Sequence, residues 1–274
     1  MFYGLHKRIN MKNIKKKISI IMPAHNEGFR IRSSMEETLK TMDGFGCPWE
    51  LVLMDDGSSD GTYEIAKQFE SRHPGKIIVK KNPVNYGKGR ALKKAIHYVS
   101  GDYVVFLDAD LDLKPIQIQT LFDIMRLDNA DVVIGSKLHP NSVVNYPWHR
   151  RIVSGVYYML VKALFGLPCR DTQTGLKLFK TEVLRNVFPR LLVKKFAFDI
   201  ELLINAHHLG YKITDAPIVI ASRTSFSVIK PKAIFVTLWD TLAVFFRMNI
   251  LKYYDRIDYH RRKNLAKEFR RMRR

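Results

Sequence analysis

Three aspartates alternate in DADLD, at Asp108, Asp110 and Asp112, directly after the apolar run VVFL at 104–107. Carboxylates without His or Cys are hard oxygen donors and suit Mg2+ or Mn2+. Such an ion takes one or two carboxylates and completes its shell with water and phosphate oxygens. Asp108, Asp110 and Asp112 are therefore the metal candidates. A second acidic pair, Asp55 and Asp56, heads DDGSSDGT. Within that turn Ser58, Ser59 or Asp60 can cap a helix. Asp55, at the end of a strand, can accept from a base or a ribose hydroxyl.

NYGKGRAL at 85–92 supplies Gly87 and Gly89 with the cations Lys88 and Arg90. It lacks the spacing of a P-loop or a dinucleotide fingerprint. It reads as a loop that lets backbone and cations approach a phosphate. Two later segments, DTQTGLKLF at 171–179 and FAFDIELL at 196–203, contain Asp171, Asp199 and Glu201. Asp171 can simply cap a turn. Asp199 and Glu201 fit the solvated face of a helix as well as they fit a site.

The elements that must hold these residues are legible as apolar runs at 18–22, 50–54, 76–80, 102–107 and 131–135. Polar, helix-compatible segments separate them. Strand alternating with helix, and strands apolar throughout, predict an α/β chain with a mostly parallel, doubly wound sheet covered on both faces. Ligands of such sheets lie beyond the carboxyl ends of the strands. PAHNE at 23–27, DDGSSDGT, NYGKGRAL and DADLD all follow strands, so four polar loops gather on one edge.

Composition narrows the alternatives. The 274 residues are 46% hydrophobic and 26% charged, a globular rather than disordered balance. The net charge of +20 concentrates at the ends, which calls for an anionic partner. Nucleic acid would match the charge but leaves the acids of DADLD and DDGS unexplained, so it is not expected. A nucleotidyltransferase would want a Gly-rich loop after the first strand, and PAHNE is not one. Cys47 and Cys169 show no metal or disulfide spacing, which fits a reducing compartment. The basic N-terminus lacks the apolar core of a signal peptide. Residues 231–252 contain Asp240 and Arg247, so an amphipathic helix at an anionic membrane surface is expected there rather than a span. Residues 152–167 form a second short candidate. The expected organisation is a basic segment at 1–17, one domain at 18–228, and the amphipathic helix with a basic tail at 229–274.

PAHNE, LMDDGSSDGT at 53–62, NYGKGRAL and DADLD, in this order and spacing, resemble the family 2 glycosyltransferases of the GT-A fold. The likeness spans residues 17–250. GSKLHP at 135–140, NYPWHRRIVS at 145–154, DTQTGLKLF and FAFDIELL look like the branch acting on polyprenyl phosphates. Dolichyl-phosphate glucose and mannose synthases are its members, the glucose type being nearer. The resemblance implies that Pro23, Ala24, His25, Glu27, Asp55, Asp56, Lys88, Asp108, Ala109, Asp110 and Lys137 bind the nucleotide sugar. It makes Asp108 and Asp110 the metal-holding DxD pair. It assigns the acceptor phosphate to Arg150, Arg151, Lys177 and Arg223, with Arg150 and Arg223 acting in catalysis. Asp112 stands where mannose-type members often carry glutamine, Tyr146 replaces a tryptophan, and Val228 an expected lysine. The implied reaction is metal-dependent and inverting. It moves a hexose from a UDP- or GDP-sugar to a polyprenyl phosphate at the cytoplasmic face of a membrane. A phosphate acceptor is already ionised and needs no strong base. The alternative, a saccharide or protein hydroxyl, would need one, for which Asp199 and Glu201 are the candidates.

Overall fold

The computed structural model describes residues 10–144, 148–192, 198–220 and 231–256, without the side chains of 149–150 and 231–234. The five expected strands form: β1 (Ile18–Ala24), β2 (Trp49–Asp55), β3 (Ile77–Lys81), β4 (Tyr103–Phe106) and β5 (Val132–Ser136). Helices α1 (Ile31–Phe45), α2 (Thr62–Arg72), α3 (Lys88–Ala95) and α4 (Ile118–Leu127) alternate with them. Beyond lie β6 (Val143–Val144), α5 (Trp148–Phe165), β7 (Lys177–Lys180), α6 (Thr181–Val187), α7 (Phe198–His208), β8 (Ile213–Pro217), β9 (Val219–Ile220) and α8 (Pro231–Phe245).

The main sheet has the order β3-β2-β1-β4-β7-β5-β8. Every pairing in it is parallel except those of β7, which runs antiparallel to β4 and β5. A side-chain period of two sends alternate residues to opposite faces. Ile18, Ile20, Met22, Leu51, Leu53 and Val105 pack under α1, α2 and α4. Ile21, Val52, Met54, Val104, Phe106 and Phe179 pack under α3, α6 and α7. Both faces are covered, as the unbroken apolar runs require.

Connections leave β1 towards β2 on one side and reach β4 on the other. The chain thus diverges at the carboxyl ends of β1 and β4, where a doubly wound sheet opens a crevice. β7 starts at that same edge, with Lys177 opposite both Phe106 and Ile134. Its reversal brings residues 171–176 to the mouth of the crevice. The sequence reading missed this strand because KLFK is short and sits in a polar stretch.

The helical expectation for the C-terminal segment holds over α8, which continues as a π-helical turn at Phe246–Ile250. Among the described residues no helix is long and apolar enough to cross a membrane. α8 rests on α5, with Tyr157 and Thr241 hydroxyls 3.0 Å apart and the Phe165 and Phe245 rings at 5.8 Å. Residues 1–9 and 257–274, which carry most of the basic ends, lie outside the described residues.

One buried and one half-buried acid outside the crevice give measurable consequences. Glu201 on α7 is 0% exposed. It accepts from the Tyr254 hydroxyl at 2.6 Å and from the Leu192 N–H at 3.0 Å, and Arg247 lies 3.7 Å away. Tyr254→Phe withdraws a donor from this carboxylate and should cost about 1–3 kcal/mol in urea unfolding; an unchanged midpoint would show the bond to be dispensable. Asp215 on β8 accepts from the Arg170 N–H at 2.8 Å, while its other oxygen is buried without a hydrogen bond. Burial pushes its carboxyl up to about 6, against the opposing pull of Arg170. A free aspartate titrates near about 4, so the folded state binds the extra proton and this group's contribution to stability falls as pH rises from about 4 to about 6. Asp215→Asn should therefore raise Tm at pH 7.5 and lose that advantage below pH 4; a gain of equal size at both pH values would contradict it.

Candidate functional site

The loop after β1 is stitched to the loop after β2. Asn26 N–H donates to Ser58 Oγ at 2.9 Å, Glu27 N–H to Thr62 Oγ1 at 2.9 Å, and Gly28 N–H to Asp60 Oδ2 at 2.8 Å. Asp60 also accepts from the Thr62 N–H, at 3.2 Å, at the start of α2. The turn DGSSDGT is thus spent on holding PAHNE in place. Asp55 shares that work. It is fully buried, and its carboxylate is taken up by the hydroxyl and N–H of Ser58. This corrects the expectation that Asp55 lines a nucleotide pocket: the last residue of β2 turns inward. Its neighbour Asp56 reaches the crevice and organises the next loop. It accepts from Asn82 Nδ2 at 2.8 Å, Tyr86 N–H at 3.1 Å and Gly87 N–H at 2.7 Å.

That loop delivers Lys88 at the first residue of α3. Its ammonium lies 2.6 Å from Asp108 Oδ1, both side chains being about one third exposed. Burial works against the Lys88 charge, yet Asp108, Asp199 and Asp110 together hold its proton more firmly than usual. Across the gap, burial raises the Glu27 carboxyl above the ordinary range; Asp110, Asp60 and Asp108 add to the rise and Arg30, 3.2 Å away, opposes it. The neighbouring acids add to the cost of ionising Glu27, as like charges close together do. The resulting cleft has a volume of about 320 Å³. Of the expected nucleotide-sugar residues, Pro23, Ala24, His25, Glu27, Asp56, Lys88, Asp108, Ala109 and Asp110 line it. Asn85, Gly87 and Ala91 complete it. They belong to the quoted NYGKGRAL motif, of which Gly87 was singled out and Asn85 and Ala91 were not.

DADLD itself divides. Asp108 and Asp110 face the cleft, and the Ala109 carbonyl is pinned by the Ser34 hydroxyl at 2.6 Å. Asp110 Oδ1 accepts the Asp112 N–H at 3.2 Å, and Leu111 turns through a left-handed φ of 47° to bury its side chain. This turn carries Asp112 out of the lining. Among the described residues no three His, Cys, Asp or Glu side chains converge as a metal group. Of the three expected carboxylates, Asp112 thus stands outside the cleft, and Asp108 and Asp110 line it together. Such a pair fits a hard divalent ion that takes its remaining ligands from phosphate and water.

The later segments are placed differently from expectation. Lys137 lies outside the cleft lining and pairs with Asp171 at 3.4 Å. Burial opposes the Asp171 charge, but Lys137 and the hydrogen bonds from Thr174, Lys137 N–H and Gln173 N–H hold its carboxyl below the usual range. Lys177, expected at an acceptor phosphate, is 1% exposed. It alternates with Leu176 and Leu178 and so points under α7. There its ammonium reaches Asp199 at 2.6 Å and the Thr174 carbonyl at 2.5 Å. Asp199 at 9% and Glu201 at 0% exposure correct the solvated-face reading of FAFDIELL. Glu201, bonded to Tyr254, lies away from the cleft. Arg151 is exposed on α5; the Arg150 side chain lies outside the described residues, as do Tyr146, Arg223, Ser227 and Val228.

One contact was invisible in the sequence. Gly175 packs so tightly on Asp108 that a Cβ there would sit inside the contact distance of the carboxylate. Gly175→Ala should displace Asp108, cost about 1–3 kcal/mol through overpacking, and weaken Mn2+ binding in calorimetry. Wild-type affinity in this variant would show that the carboxylate can move freely.

Comparison with known proteins agrees with this geometry. Residues 19–188 match Glycosyl transferase family 2. A dolichyl-phosphate beta-glucosyltransferase of Trichomonas vaginalis is 31% identical over 73% of the chain and 64% of its own length. That of Dictyostelium discoideum is 30% identical over 73% of the chain and 65% of its length. The chain thus spans just under two thirds of these curated relatives. Glucosyl-3-phosphoglycerate synthase from Mycobacterium tuberculosis, solved with Mn2+, UDP and phosphoglyceric acid, shares the fold. Its TM-score is 0.65 at 22% identity, covering 86% of this chain and 80% of that one. With its mostly parallel helix-flanked sheet and its matched motifs, the chain belongs to glycosyl transferase family 2.

Proposed function

We propose that this glycosyltransferase moves a hexose, glucose in the first instance, from a nucleotide-diphosphate sugar to a polyprenyl phosphate, with inversion. The observation that carries the donor half is the convergence of Asp108 and Asp110 with Glu27 and Lys88 in one cleft at the divergence of β1 and β4. Asp108 and Asp110 would hold a divalent ion, Mg2+ or Mn2+, which neutralises charge developing on a diphosphate leaving group. Lys88 supplies a second positive charge at the same point. Asp56 does not touch the leaving group; it fixes the loop from which Lys88 projects. The names of the curated relatives favour glucose and a dolichyl-type acceptor.

For the acceptor, cations matter more than a base, since a lipid phosphate arrives ionised. Arg151, Arg150 and Arg223 are the candidates. The hydroxyl-acceptor alternative is disfavoured because Asp199 is bonded to Lys177 and Glu201 to Tyr254. α5 presents Trp148, Ile152, Val156 and Met159 to the exterior, and α8 presents Phe235, Trp239 and Leu242, continued by Phe246. Both sets recur every three or four residues, as one apolar stripe per helix does. Two abutting helices with outward apolar stripes suit the surface of an anionic membrane. We place the enzyme there as a peripheral protein on the cytoplasmic face.

The test is incubation with Mn2+, a polyprenyl phosphate and a panel of UDP- and GDP-hexoses, followed by assay of sugar in the lipid phase. Labelled lipid is expected with one donor, none after chelation by EDTA, and a loss of about a hundredfold or more in Asp108→Asn or Asp110→Asn. Transfer to a saccharide hydroxyl with none to lipid would replace this reading with the alternative.

A further inference from the structure

Five contacts link the DxD carboxylate to the C-terminal half of the domain and back again. Lys88 holds Asp108 at 2.6 Å. Gly175 closes on that same carboxylate from the other side. Its neighbour Thr174 gives its carbonyl to Lys177 Nζ at 2.5 Å. Lys177 pairs with Asp199 at 2.6 Å. Phe198, next to Asp199, covers Gly89 so closely that a Cβ there would lie 2.5 Å from its ring, and Gly89 follows Lys88. Each step joins a residue to its partner or to a sequence neighbour, and the path returns to its start.

We propose that the buried Lys177–Asp199 pair is a positioning device for the donor cleft, closing a ring of contacts that sets where the Asp108 carboxylate and the Lys88 ammonium stand. The proposal rests on the donor-cleft reading above. Its physical basis is that stability alone does not call for such a pair. Two buried charges recover little beyond their desolvation cost, and an apolar pair of similar volume holds a fold equally well. What an apolar pair cannot do is draw the Thr174 carbonyl, and with it Gly175, to a fixed distance from Asp108. Lys177 and Asp199 touch neither the cleft nor a ligand; they act through Gly175 and α3.

The experiment separates position from stability. Wild type, Lys177→Met, Asp199→Leu and the double variant are compared by Tm without ligand and by calorimetric titration with Mn2+·UDP and Mn2+·GDP. Each single variant leaves one buried charge uncompensated and should lower Tm. The double variant should recover most of that loss. Its affinity for the preferred metal–nucleotide should nevertheless stay about tenfold or more below wild type, the effect usual for groups that orient metal ligands. Asp199→Asn, nearly isosteric and still able to bond Lys177, keeps the ring closed and should bind close to wild type. Wild-type affinity in the double variant, or a loss in Asp199→Asn as large as in the double variant, would overturn the proposal and leave the pair a structural element. Failure of the wild type itself to bind either complex would instead remove the donor-cleft reading, and the ring's purpose with it.

Discussion

A single antiparallel strand inserted into a parallel sheet governs the shape of the cleft. Parallel strands all present their carboxyl ends to one edge, so every loop on that edge departs from the sheet. β7 does the opposite: it enters the sheet there. The chain just before it must therefore descend onto the edge next to β4. This forces residues 174–175 against Asp108 and leaves room at position 175 for no side chain. The same reversal turns Lys177 beneath α7. The donor acids are thus shaped jointly by DADLD and by a segment some seventy residues downstream.

Charge compensation then decides which acids remain available. Around the sheet, buried carboxylates have close donors. Glu50 accepts from Ser19, Ser100 and Lys17, and hydrogen bonds from Lys17 and the two serines lower its carboxyl against burial. Asp131 is held down, against burial, by Lys180 and the Lys212 N–H. At the cleft the balance reverses. Burial, with Asp110, Asp60 and Asp108 close by, raises the proton affinity of Glu27 against the pull of Arg30. A chain of net charge +20 thus gathers Glu27, Asp108 and Asp110 at one edge. On the proposed function, that contrast separates the recognition of a metal–diphosphate from the attraction of the whole molecule to an anionic surface.

Much of this was legible from residue types alone. Five strands and the gathering of their polar loops on one edge followed from apolar runs ending in acids or turn formers, while nine of the cleft residues came from the resemblance of the loop motifs to the family. The failures share one cause. Whether Asp55 or Asp56 faces the cleft depends on the twist of the last strand residue, and two adjacent aspartates look alike on paper. Asp112 fits the alternation of DADLD until Leu111 adopts a left-handed turn to reach the core. Lys177, Asp199 and Glu201 carry charges that composition assigns to the surface. Their partners lie 22 residues away for the first two, and 53 for Glu201 and Tyr254. Local sequence holds no sign of a partner supplied from so far off.

The placement of β7 also bears on how the chain assembles. β1, β2, β3 and β4 lie within the first 106 residues and pair through short crossovers. β4 keeps an open edge until residues 177–180 exist to cover it, and pairings of that sequence distance form slowly. During synthesis from the N-terminus, a nascent chain will therefore hold an apolar strand edge exposed beside its own acidic loop. The ligand edge of the sheet is the part encoded early and completed late, which makes it the stretch most in need of protection before the second half emerges.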